Sequence, residues 1–121
     1  MSRILIIEDD SSVAEMMVMT LQHDNHEVIT LPSASGAAET ISEQNIELAI
    51  VDIVLPGQGG MELVLDLHGK FPALPLILTS GKIDTSKETF RVLAKQFGVL
   101  SILAKPFTVE ELLQSVKHAL S

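Results

Sequence analysis

The chain has 121 residues, 46% of them apolar, and a formal net charge of −8 from sixteen acidic and eight basic side chains. This length suits one domain with a core that needs no staples, and the absence of cysteine excludes disulfides and thiolate metal sites. Its acidity disfavours nucleic acid as a ligand of the domain, because phosphate backbones are repelled, and no apolar run approaches the ~20 residues of a membrane-spanning helix.

Arg3 is followed only by the short run Ile4 to Ile7 and then by acids, which is unlike a secretory signal peptide, so a cytoplasmic location is expected. That run is apolar, β-branched and uninterrupted, the pattern of a strand buried on both faces. Ser11 or Ser12 can cap a helix whose inner side carries Val13, Met17 and Leu21. A turn at Asp24-Asn25-His26 leads into a shorter strand, Val28 to Leu31, and a weaker helix is expected over Ser33 to Gln44. Leu48 to Val51 is again fully apolar and ends at Asp52. Pro56-Gly57 and Gly59-Gly60 punctuate a loop, and a helix with Met61, Leu63, Val64 and Leu67 inward follows. Pro75 opens the strand Leu76-Ile77-Leu78, which ends at Thr79-Ser80-Gly81. The next helix begins at Thr85 or Ser86, turns Phe90, Leu93, Ala94 and Phe97 inward and stops at Gly98. Leu100 to Ala104 forms a fifth strand ending at Lys105-Pro106, and Thr108 to Glu111 is a capping box for a last helix with Leu112, Leu113, Val116 and Leu120 inward.

Apolar strands alternating with amphipathic helices, βα five times over, define an α/β chain built on a parallel sheet covered on both faces. In such sheets ligands sit beyond the carboxyl ends of the strands, where strand order reverses. The strand ends here carry Glu8-Asp9-Asp10, Asp52, Thr79-Ser80 and Lys105. Gathered carboxylates repel, so a proton or a cation must neutralise them. With only oxygen donors available the cation is a hard one, for which Mg²⁺ is the natural choice. Lys105 and a hydroxyl offer the charge and donors that a phosphoryl group needs. A single aspartate at a strand end is ordinarily a helix cap or turn former, and Asp10, beside Ser11, is read that way. Glu8, Asp9, Asp52 and Lys105 together are not, because separate strands would each need a polar terminus at one edge by accident.

Four segments, Ile4 to Asp10, Ile50 to Gly57, Leu78 to Gly81 and Ala104 to Phe107, resemble in order the motifs of the receiver domain of two-component response regulators, and the likeness spans residues 1–121. The resemblance implies a doubly wound sheet with the flavodoxin-like strand order 2-1-3-4-5, and Asp52 as phosphoacceptor. It further implies Mg²⁺ held by Asp9, Asp52 and the backbone carbonyl of Val54, with Glu8 acting through ordered water. Ser80 would be the switch hydroxyl, Lys105 the partner of Asp52 at rest and of the phosphoryl group when active, and the Lys105-Pro106 peptide cis. Ser80 is preferred to Thr79 because the pleat turns Thr79 to the opposite side. Two departures stand out. Ile102 occupies the position where the family usually carries a switching aromatic, and Gly59 replaces the acid of the loop after Asp52, which implies a looser loop.

A phosphohistidine on a sensor histidine kinase or a histidine phosphotransfer protein would be the donor, and helix four, strand five and helix five the output face. There Lys87, Arg91 and Lys95 recur at spacing four, either as a solvated face or as a docking stripe for an acidic partner or a homodimer mate. Met16, Val18 and Met19 widen the apolar side of helix one, as core filling or as an adaptable contact surface. Whether the chain acts alone or belongs to a longer regulator with an output domain is left open. A phosphatase of the haloacid dehalogenase type would need a second Asp where Val54 stands, and a flavin carrier would need aromatic rings that a chain without Trp or Tyr lacks. The remaining alternative is a pseudo-receiver that docks partners constitutively without phosphorylation.

Overall fold

The computed structural model describes residues 1–81 and 88–121, the side chains of 88–90 and 93 excepted. Five strands and five helices alternate: β1 (Arg3–Ile7), α1 (Ser11–His23), β2 (Glu27–Leu31), α2 (Ala37–Gln44), β3 (Leu48–Asp52), α3 (Gly60–Lys70), β4 (Leu76–Ser80), α4 (Glu88–Gln96), β5 (Val99–Ala104) and α5 (Val109–Leu120). All strand pairs are parallel, in the order β2-β1-β3-β4-β5. The covered parallel sheet expected from the alternation, and the doubly wound order 2-1-3-4-5 implied by the resemblance, are therefore the ones observed.

The period of two along each strand divides the core. Leu5, Ile7, Ala49, Val51, Leu76 and Leu78 face one way and pack under Ile41 of α2, Leu63, Val64 and Leu67 of α3 and Ala94 of α4. Their neighbours Ile4, Ile6, Leu48, Ile50 and Ile77 face the other way, against Met17 and Leu21 of α1 and Leu112 and Val116 of α5. Both faces of the three central strands are thus closed to water, which is why these segments are apolar throughout.

Some local expectations hold and others change. Asp10 itself is the N-cap of α1, its Oδ1 accepting from the N–H groups of Ser12 at 2.9 Å and Val13 at 3.2 Å; neither serine caps the helix, because a carboxylate one position earlier already reaches both orphan donors. Helix α2 starts at Ala37 and not at Ser33, because Gly36 takes a left-handed φ of 80°, which a helix through that segment cannot accommodate. Strand β2 gains Glu27 and β5 gains Val99. The capping box at Thr108 and Glu111 is present, with both reciprocal hydrogen bonds. The expected helix start at Thr85 or Ser86 lies outside the described residues, as do Lys82, Lys87 and the side chains of Phe90 and Leu93. Met16 and Val18 of α1 pack against the core, whereas Met19 is exposed.

Candidate functional site

Strand order reverses at β1, which has β2 on one side and β3 on the other. The carboxyl ends of β1 and β3 are therefore the edge at which a doubly wound sheet leaves a crevice. Ile7 pairs with Val51 and Asp52 with Thr79, so Glu8 and Asp52 leave the sheet at nearly the same level. Ser80 pairs with Ala104, and the Lys105 N–H donates to the Ser80 carbonyl at 2.8 Å, bringing Lys105 to the same edge. The Lys105-Pro106 peptide is cis.

Lys105 Nζ donates to Glu8 Oε1 at 2.7 Å and to Asp52 Oδ2 at 3.0 Å. The other oxygen of each carboxylate is also engaged, Glu8 Oε2 by the Asp10 N–H and Asp52 Oδ1 by the Val54 N–H, both at 3.1 Å. The side chains of Glu8 and Asp52 are 2% and 6% exposed and that of Lys105 is 22% exposed, so this is a nearly dry ion triad open at the lysine. Asp9, by contrast, is exposed. Burial pushes the Glu8 carboxyl above its ordinary range; the Lys105 hydrogen bond opposes this and the nearby Asp52 adds to it. Burial works to lower the Lys105 pKa, but hydrogen bonds and charge from Glu8 and Asp52 outweigh it and hold the ammonium above the ordinary lysine value. The direct Glu8–Lys105 contact is absent from the sequence reading, which pairs Lys105 with Asp52 alone. No spacing rule links residues 97 positions apart.

Glu8, Asp9 and Asp52 each offer an oxygen within 4.8 Å of the others. Three carboxylates and one ammonium leave a formal charge of about −2, and the donors are oxygens throughout, so the residues fit a hard divalent cation. The exposed Val54 lies two residues beyond Asp52, on the loop that its own N–H ties to the aspartate.

Ser80 and Thr79 are both buried at the end of β4, and the Ser80 Oγ has no hydrogen-bond partner among the described residues. A buried hydroxyl without a partner costs roughly 1–3 kcal/mol. Ser80→Ala should therefore raise the stability of the metal-free protein by about 1 kcal/mol, read as an upward shift of the urea midpoint at unchanged slope. A fall in the midpoint would mean that the hydroxyl is already partnered in the resting protein.

Fold and site together define a doubly wound domain whose switch-point crevice gathers Glu8, Asp9 and Asp52, with Lys105 hydrogen-bonded to two of them. The profile of the response regulator receiver domain family matches residues 4–117, and the chain belongs to that family. It is 33% identical to the regulatory protein VanR of Enterococcus faecium over 118 residues, covering 98% of this chain and 49% of VanR. Against the response regulator protein FleR of Pseudomonas aeruginosa it is 31% identical over 122 residues, covering 98% of this chain and 25% of FleR. The chain thus spans about half of the one and a quarter of the other. Among solved structures, a CheY-like receiver domain protein from Methanospirillum hungatei superposes with a TM-score of 0.88 at 27% identity, over 99% of this chain and 94% of that one. The BeF3-activated receiver domain of RstA from Klebsiella pneumoniae does so with 0.85, also at 27%, over 98% and 97%. Receiver domains of response regulators are phosphorylation-based signalling switches of two-component systems that receive phosphate from histidine kinases and bind Mg²⁺ at an acidic pocket. No helix among the described residues is long and apolar enough to cross a membrane.

Proposed function

We propose that residues 1–121 act as one cytoplasmic receiver unit in which Asp52 accepts a phosphoryl group from a phosphohistidine on a sensor histidine kinase or a phosphotransfer protein. The observation that carries this reading is the Asp52 carboxylate itself, hydrogen-bonded to the Lys105 ammonium and gathered with Glu8 and Asp9 at the strand-order switch point. Asp9, Asp52 and the Val54 carbonyl would hold Mg²⁺, with Glu8 contributing through water; when bound, the ion supplies charge neutralisation that lets two anions approach.

An Asp52 carboxylate oxygen attacks phosphorus, the P–N bond to the donor imidazole breaks, and the imidazole nitrogen takes up a proton. Asp52 then carries an acyl phosphate with a charge of about −1.5 to −2. Lys105 transfers its hydrogen bond from the Asp52 carboxylate to a phosphoryl oxygen. The Ser80 hydroxyl, without a partner among the described residues, turns to donate to another. These two shifts bias a pre-existing equilibrium between surface arrangements of α4, β5 and α5, through which a downstream partner, a fused output domain or a second copy is controlled. On that face Arg91, Lys95, Ile102 and His118 line a cavity of about 260 Å³. With isoleucine at this position, the change is transmitted by repacking of β5 against α4 and not by a swinging ring.

Incubation with acetyl phosphate tests the reading. The wild type should gain one phosphoryl group by intact-mass spectrometry only when Mg²⁺ is present, and Asp52→Asn should gain none. Equal behaviour of the two proteins would instead favour constitutive docking.

A further inference from the structure

Helix α3 begins on top of the backbone that carries Asp52. A Cβ built on Gly60 would overlap the Asp52 carbonyl oxygen and the Ile53 Cα, and would come within 2.8 Å of the Ile53 carbonyl carbon. All three are backbone atoms, so nothing can rotate aside. Gly60 is not among the glycines with positive φ, so space and not backbone conformation demands glycine there. The neighbouring Gly59, the N-cap of α3, has nothing within 4 Å of a built Cβ and supplies no side-chain cap. The link between loop and helix is therefore made by backbone. The Gly60 N–H donates to the Ile53 carbonyl at 3.0 Å, and the Ile53 N–H donates to the Thr79 carbonyl of β4 at 2.9 Å. Ile53 is clamped between β4 and α3, and its two chain neighbours are Asp52, with the acceptor carboxylate, and Val54, with the carbonyl assigned to the metal.

We propose that Gly60 is a positioning residue for the phosphoryl acceptor. By letting the first turn of α3 rest directly on the Asp52–Ile53 backbone, it sets the direction in which the Asp52 carboxylate and the Val54 carbonyl face the acid cluster. This rests on the reading of Asp52 as the acceptor. A side chain at position 60 must part the helix from the loop. Since β3 is paired with β1 up to Val51 and with β4 up to Asp52, the displacement falls on the loop beyond Asp52 and on the start of α3, and not on the sheet.

The test compares Gly60→Ala with Gly59→Ala in the 121-residue chain; Gly59→Ala weakens the same helix end without touching the loop. Gly60→Ala should weaken Mg²⁺ binding by calorimetry about tenfold or more, the scale on which misplaced supporting groups act. In the metal-free protein it should also accelerate amide hydrogen exchange at Ile53 and Val54 while leaving β1 and β4 amides protected. Gly59→Ala should stay within about twofold of wild type in Mg²⁺ affinity. Unchanged Mg²⁺ affinity in Gly60→Ala, or equal loss of protection throughout the sheet, overturns the proposal. If Gly60→Ala does not fold, the wild type decides: Mg²⁺ should slow exchange of the Gly60 amide, because coupling between the two contacts is reciprocal, and an indifferent amide overturns it. A wild type that binds no Mg²⁺ and takes no phosphoryl group counts against the acceptor reading instead, whatever Gly60 does.

Discussion

Lys105→Met should unfold at lower urea than the wild type in metal-free buffer, by about 3 kcal/mol, and Mg²⁺ should restore more stability to it than it adds to the wild type. Breaking a buried ion pair by removing one partner costs about 3–5 kcal/mol, and the 22% exposure of the lysine side chain places the effect toward the lower part of that range. Methionine keeps most of the apolar stem that lysine lays along the site, so the loss reports charge and not a cavity. What remains is Glu8 and Asp52, almost dry, each without the donor that engaged one of its oxygens. A divalent ion supplies the missing positive charge, and its stabilisation grows with its concentration relative to its dissociation constant. Matching urea midpoints for the two proteins without metal would show that the lysine does not hold the carboxylates together. The same variant should take up phosphoryl groups slowly even with Mg²⁺ saturating, because no ammonium is left to meet the phosphoryl oxygen.

Glu8 governs the second large effect, in the pH dependence of the metal-free protein. Its carboxyl is raised above the value of 4.5 that it would have unfolded, chiefly by burial. Over the interval between these two values the folded chain holds a proton that the unfolded chain has released. Stability therefore falls as pH rises from about 4.5 through the raised value, opposite to the usual behaviour of a salt-bridged acid. Lys105, raised above 10.5, contributes stability that is complete below that value and is lost as pH rises through its folded pKa. Glu8→Gln should flatten the acid-side decline in a series of urea titrations and also shrink the alkaline loss, because the Glu8 hydrogen bond and charge help to raise Lys105. It should also weaken Mg²⁺ by about 10–100-fold, as expected for a group acting through the ion's water shell. A wild type whose stability climbs steadily from pH 4.5 to 7 would contradict the burial argument.

The residues at the strand ends were legible in the chain because β-strands of a parallel sheet are apolar on both faces, so the first charge after each run marks where the strand emerges. Asp52, Lys105, Glu8 and Ser80 all stand at or just beyond such ends, and the alternation with amphipathic helices required a covered parallel sheet. Smaller features were less legible. Asp10 and the two serines after it all have side chains able to cap α1, and only the backbone path selects the carboxylate. The start of α2 depends on a left-handed Gly36 that the pattern of Ala37, Ala38 and Ile41 does not reveal.

Composition and periodicity by themselves determined which segments are strands, which side of each helix is buried and which polar groups lie at one edge, because these follow from burial acting along a single chain. Only the tertiary structure decided who touches whom at that edge. Lys105 reaches Glu8 as well as Asp52, the Ser80 hydroxyl has no partner among the described residues, and Gly60 lies against the Asp52 backbone. Each of these is a matter of a few ångströms between residues from different strands or across a loop, set by sheet register and helix placement, which no spacing along the chain encodes.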